Sequence, residues 1–77
     1  MVHSEQIKAA RVLLGLDQKQ LAKAAKVGVS TIQRLEKHGA ERSHVASVRK
    51  VTDILQALGV EFINADTRKG LGVRRRF

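Results

Sequence analysis

The chain has 77 residues, enough for one small domain. Fifteen Lys and Arg stand against seven acids, a net charge of +8 and a pI near 11, which points to a polyanionic partner. There is no Cys, which excludes a disulfide framework and a Cys-based zinc site, and no apolar run approaches the ~18 residues of a membrane span.

Ser4 can cap a first helix that runs to about residue 14. Ile7, Ala10, Leu13 and Leu14 give it an apolar stripe, and Gly15 stops it. The second helix has the clearest start in the chain. Asp17 is its N-cap, Gln20 completes a capping box, and Leu16 and Leu21 hold the two positions of a hydrophobic staple. It runs to about residue 25, with Leu21, Ala22 and Ala25 turned inward, and residues 26–28 break it. A third helix starts near Gly28 or Val29, reaches Lys37 and is closed by His38 and Gly39. Ile32 and Leu35 share one of its faces. Ser30, Thr31, Gln33, Arg34 and Lys37 share the rest; all are hydrogen-bond donors and none is an acid. A polar loop over residues 40–42 leads to Ser43, the expected cap of a fourth helix. There Val48, Val51, Leu55 and Leu58 form an apolar stripe that ends at Gly59.

After Gly59 the period becomes that of a strand. Val60, Phe62 and Asn64 alternate with Glu61 and Ile63; NADTRKG is turn-rich; Leu71, Val73, Arg75 and Phe77 alternate with Gly72, Arg74 and Arg76. This reads as a β-hairpin, with a disordered basic tail as the competing reading. The expected class is mainly α: four to five helices with a C-terminal β-hairpin. Residues 1–59 are expected to form the working domain, and residues 60–77 a hairpin or basic tail of the same domain.

Two short helices joined by a tight turn, here the second and third, form a helix-turn-helix. In that arrangement the later helix enters the major groove of duplex DNA, with its N-terminal residues at base edges. The recognition helix is then about residues 28–37. Gln33 and Arg34 are assigned to base reading, because their planar groups pair bidentately with adenine and guanine edges. Val29 and Ser30 are also placed to meet bases, Val29 at a thymine methyl. Gln18, Thr31, Lys37 and Arg42 are assigned to the phosphate backbone. Gln18 earns its place from the free N–H groups and dipole at the start of the second helix. The aromatic inventory agrees with a duplex partner. Trp and Tyr are absent and Phe occurs only as Phe62 and Phe77, so little is available to stack unpaired bases.

Enzyme readings fail on inventory: there is no Cys nucleophile, HExxH, Gly-rich phosphate loop or carboxylate pair spaced for acid–base work. His3, His38 and His44 are too scattered for a ligand set, so no metal, cofactor or small-molecule ligand is expected. No signal-peptide core is present, and the expected location is the cytoplasm.

The stretch LLGLDQKQLAKAAKVGVSTIQRLE, residues 13–36, resembles the phage-repressor/Cro class of helix-turn-helix regulators, the XRE family. The resemblance extends over about residues 7–58. The family's first-helix arginine matches Arg11, its glutamine at the start of the second helix matches Gln18, and its Leu-Ala pair matches Leu21 and Ala22. Its TIxRxE run matches residues 31–36. There are two departures. Lys26 stands where the family has Gly at the tight turn, and Gly28 stands where it has Ser or Thr as helix cap. Lys is unfavourable at positive φ, so either the turn is reshaped or the third helix starts later.

The resemblance implies an ion pair between Arg11 and Glu36, a determinant of the fold. It also implies a transcriptional regulator that binds a palindromic operator as a homodimer. The alternatives are a protein-interaction module of antitoxin or antiactivator type, and a small excision or architectural factor. Family members often dimerise through a fifth helix; here the tail takes that place. Val60, Phe62 and Val73 are therefore assigned to a dimer interface, with an Arg74, Arg75 and Arg76 basic arm as the alternative.

Overall fold

Four α-helices are followed by a two-stranded antiparallel hairpin: α1 (Ser4–Leu13), α2 (Gln18–Ala25), α3 (Val29–His38), α4 (Val45–Ala57), β1 (Val60–Ile63) and β2 (Gly72–Arg75). The computed structural model describes residues 2–76, apart from the side chain of Arg42. The class is mainly α, as the periodicities predict, and the tail is a hairpin. A single 3₁₀ turn, Ala40–Arg42, replaces the polar loop expected between α3 and α4.

Helix ends follow local chemistry. At the start of α2, Asp17 Oδ1 accepts the Gln20 N–H at 2.7 Å while Gln20 Oε1 accepts the Asp17 N–H at 2.9 Å, a complete capping box. Two starts differ from expectation. His3, not Ser4, is the N-cap of α1: His3 is extended, its N–H donates to Gln6 Oε1 at 2.9 Å, and the Ser4 hydroxyl donates instead to Glu5. His44, not Ser43, precedes α4, because both residues are extended and the helix can begin only at Val45. The Ser43 hydroxyl oxygen is buried without a hydrogen-bond partner.

α1 and α2 end alike. Leu16 N–H reaches back to Arg11 O and Gly15 N–H to Val12 O; Val27 N–H reaches Ala22 O and Lys26 N–H reaches Lys23 O. Both are Schellman closures, which need a left-handed residue. Gly15 supplies it at φ 69° in one, and Lys26 supplies it at φ 58° in the other. The turn into α3 is therefore not reshaped to suit Lys. The side chain accepts the left-handed backbone, and Gly28 is left as the cap of a helix beginning at Val29.

The core gathers Ile7 and Ala10 of α1, Leu21, Ala22 and Ala25 of α2, Ile32 and Leu35 of α3, Val51 and Leu55 of α4, and Val60 of β1. Leu14, Leu16, Val27, Val48, Phe62 and Val73 pack against it half-buried. Two members of the expected stripes lie outside: Leu13 and Leu58 are each 40% exposed. Each sits at the last turn of its helix, where the chain is already departing from the core.

The hairpin registers Val60 with Arg75, Glu61 with Arg74, Phe62 with Val73 and Ile63 with Gly72. β1 lies against α4 and β2 against α1. Its loop is organised by the Asp66 carboxylate, which accepts the N–H groups of Arg68 and Lys69 at 2.8 and 2.7 Å. Those two bonds hold the Asp66 carboxyl below the usual aspartate range. Val60 has only 1% of its surface exposed within its own subunit. Phe62 and Val73 keep part of theirs.

Candidate nucleic-acid interface

α3 is fixed from behind and open in front. Ile32 and Leu35 are fully buried against the other helices. Ser30, Gln33, Arg34 and Lys37 are exposed on the opposite side, and Thr31 is half-buried beside them. Among the described residues, none of the four exposed side chains makes a hydrogen bond or ion pair within the chain. A row of unengaged donors on a rigid helix is a surface prepared for acceptors, and both base edges and phosphates supply them. Val29 stands at the N-terminus of the same face, 36% exposed.

The start of α2 meets this face. Asp17, Gln18, Lys19, Val29 and Gln33 line an open groove with Arg11 at its floor. Within α2's first turn the Asp17 cap takes the Gln20 N–H and Asp17 O takes the Leu21 N–H. The N–H groups of Gln18 and Lys19 come before these and have no intrahelical partner. They lie at the positive end of the helix dipole.

Below the groove lies a network of charge. Arg11 Nε donates to Glu36 Oε2 at 2.8 Å and Arg11 Nη2 to Glu36 Oε1 at 3.1 Å, a two-pronged pair. The side chains are 13% and 5% exposed. The third face of the guanidinium donates to Leu16 O at 2.9 Å. Gln18 Nε2 donates to the same Glu36 Oε1 at 3.2 Å. The hydrogen bonds to Glu36 hold the Arg11 guanidinium above its ordinary pKa despite partial burial. The pair therefore links the end of α1, the start of α2 and the end of α3. Gln18, assigned to the phosphate backbone, is half-buried and has its amide group turned to Glu36.

Sequence reasoning brings Val29, Ser30, Gln33 and Arg34 to one face, and the fold places them together with Thr31 and Lys37. Arg42 follows in the 3₁₀ turn, but its side chain lies outside the described residues. Lys19 was not singled out, yet it shares the groove with Gln18 and Gln33. Its position directly after Gln18 in an N-terminal helical turn was the available signal. Among the described residues no cluster of His, Asp or Glu is arranged to hold a metal ion, and no helix is long and apolar enough to cross a membrane.

No curated protein matches the chain. The Helix-turn-helix family profile matches residues 7–63, the span from Ile7 in α1 to the end of β1. The chain belongs to this family of DNA-binding helix-turn-helix regulators, within the phage-repressor/Cro-like XRE group.

Proposed function

We propose that the protein is a sequence-specific transcriptional regulator that binds a palindromic operator in duplex DNA as a homodimer. The observation that carries this reading is the outward face of α3: Ser30, Gln33, Arg34 and Lys37 are exposed, unengaged and free of acids. A helix kept only to contact another protein would have no need of an unbroken donor face. Gln33 and Arg34 read bases, with Val29 and Ser30 at the N-terminal end of the same face. Thr31, Lys37 and the start of α2 at Gln18 hold phosphates, and Arg42 is a further backbone contact. One α3 makes few contacts, so two copies on half-sites about one helical turn apart, ~34 Å, supply the affinity.

The test is a gel shift on the DNA upstream of the protein's own gene, with scrambled duplex as competitor. Retention of the complex against excess scrambled DNA is expected. A complex that scrambled DNA displaces as readily as the upstream fragment does would remove sequence reading and leave a non-specific architectural role.

A further inference from the structure

Between Gln18 and Ala40 the chain carries five Lys and Arg and a single acid, Glu36, which is buried and held by Arg11. Arg34 and Lys37 belong to the outward face of α3. The other three, Lys19, Lys23 and Lys26, form a row along α2 and its C-cap: they stand about one turn apart on one side, and all are exposed. Among the described residues none of their side chains makes a hydrogen bond or ion pair within the chain. The exposed positions beside the row, Gln20 and Ala24, carry no charge. Asp17, the acid next to the row in sequence, takes the Gln20 N–H as the cap of the helix.

The row works against the helix that bears it. Like charges at i and i+4, here Lys19 and Lys23, repel one another. Lys19 also puts a cation in the first turn, where the helix dipole favours an anion, and that turn contains no acid. Lys23, in the last turn, suits the dipole and needs no further explanation of its own. Lys19 does not suit it, and an anion from outside relieves both the dipole and the repulsion.

The row begins on the DNA-facing side. Lys19 lines the open groove with Gln18, Val29 and Gln33, and Lys23 and Lys26 continue the row along α2 from there. In a helix-turn-helix the earlier helix crosses the DNA backbone. From Lys19 to Lys26 the helix rises ~10 Å, and each strand of duplex DNA carries a charge every ~3.4 Å along its axis, so the row spans a short run of phosphates. An acidic protein surface would suit the same lysines, but it would compete with DNA for Lys19. Continuity with the groove favours DNA.

We propose that Lys19, Lys23 and Lys26 form a ridge that holds the DNA backbone flanking each half-site, outside the base pairs that α3 reads. The inference rests on the DNA-binding reading above and extends its footprint along α2. The ridge carries no base information: ammonium groups on phosphates add affinity to any duplex.

Binding of the full chain across a salt series tests this, by fluorescence anisotropy on the fragment upstream of the protein's own gene and on a scrambled duplex of equal length. Lys19→Gln and Lys23→Gln are each expected to lower the slope of log K against log salt by ~0.9 on both duplexes, and the double variant by ~1.8. Lys8→Gln removes the same charge from an exposed site beside the hairpin and is expected to leave the slope unchanged. Lys23→Arg is expected to keep the wild-type slope. A circular-dichroism melt verifies that each variant is folded. In a hydroxyl-radical footprint on the upstream fragment, the double variant is expected to lose protection at the outer edges and keep it at the centre. Unaltered slopes for Lys19→Gln and Lys23→Gln, or an equal drop for Lys8→Gln, overturn the inference. If the upstream fragment is still preferred when the slopes are unaltered, the ridge fails alone. Lowered slopes on both duplexes with no preference between them support the ridge and remove the operator reading.

Discussion

The Gln6 side chain ties the start of α1 to the loop end of the hairpin: its Nε2 donates to Ile63 O and to Gly72 O, each at 3.0 Å. Gln6 is buried, 3% exposed, and its Oε1 accepts the His3 N–H. Both amide hydrogens and the carbonyl are thus engaged. Gln6→Ala strips donors from two strand carbonyls, which is expected to cost ~1–3 kcal/mol by urea unfolding. Because the lost bonds anchor the hairpin, the amides of Glu61 and Arg74 are expected to exchange faster with solvent. Unchanged exchange there would show that the hairpin holds without this anchor.

Arg11→Ala is expected to destabilise the domain far more than it alters base preference. It leaves the Glu36 carboxylate, 5% exposed, with only the Gln18 amide as partner, and it frees Leu16 O. Removing one partner of a buried pair costs roughly 3–5 kcal/mol. Arg11→Lys is expected to recover little, because an ammonium cannot span both Glu36 oxygens and Leu16 O. A melting temperature within error of wild type would reject this account.

The features legible in the sequence are those fixed by near neighbours. The Asp17–Gln20 box, the Ile32 and Leu35 face of α3 and the change of period after Gly59 each lie within a few residues of chain, and each appears in the structure. What was missed depends on distant partners or on backbone choices that sequence leaves degenerate. Gln6 meets carbonyls 57 and 66 residues away, and no local pattern announces that. His3 against Ser4, and His44 against Ser43, turn on which residue is last to stay extended. Val60 reads as a strand residue either way; only the fit of the hairpin onto α4 decides that it is buried in its own subunit. Among the DNA-facing residues, sequence supplies the face, because α3's period supplies it. It does not show that Gln18 is shared with Glu36.

Arg34 and Lys37 lie on the same helix and are expected to behave differently on DNA. Arg34→Ala is expected to cost ~1–3 kcal/mol on the cognate operator and much less on random duplex, as for a guanine-reading side chain. Lys37, near the C-terminal end of α3, contributes charge alone. Lys37→Ala is expected to weaken both duplexes alike and to reduce the slope of log K against log salt by ~0.9. Equal losses for Arg34→Ala on the two duplexes would make it a phosphate contact, and an unaltered slope would take Lys37 off the DNA.

Lys26 holds the turn of the helix-turn-helix at φ 58° and ψ 45°, the left-handed region. A residue with a Cβ sits there at a cost of roughly 1–2 kcal/mol. Glycine relieves that cost but loses more chain entropy on folding, so Lys26→Gly is expected to stabilise the domain by up to ~1 kcal/mol. Lys26→Ala separates backbone from charge: it removes the same ammonium but keeps a Cβ in the left-handed region. The urea midpoint is therefore expected to rise for Lys26→Gly only, with the slope of the unfolding curve unchanged. Base preference is expected to stay as in wild type for both variants, because the exposed face of α3 is untouched. Equal midpoints for the two variants would show that the turn carries no strain for glycine to relieve.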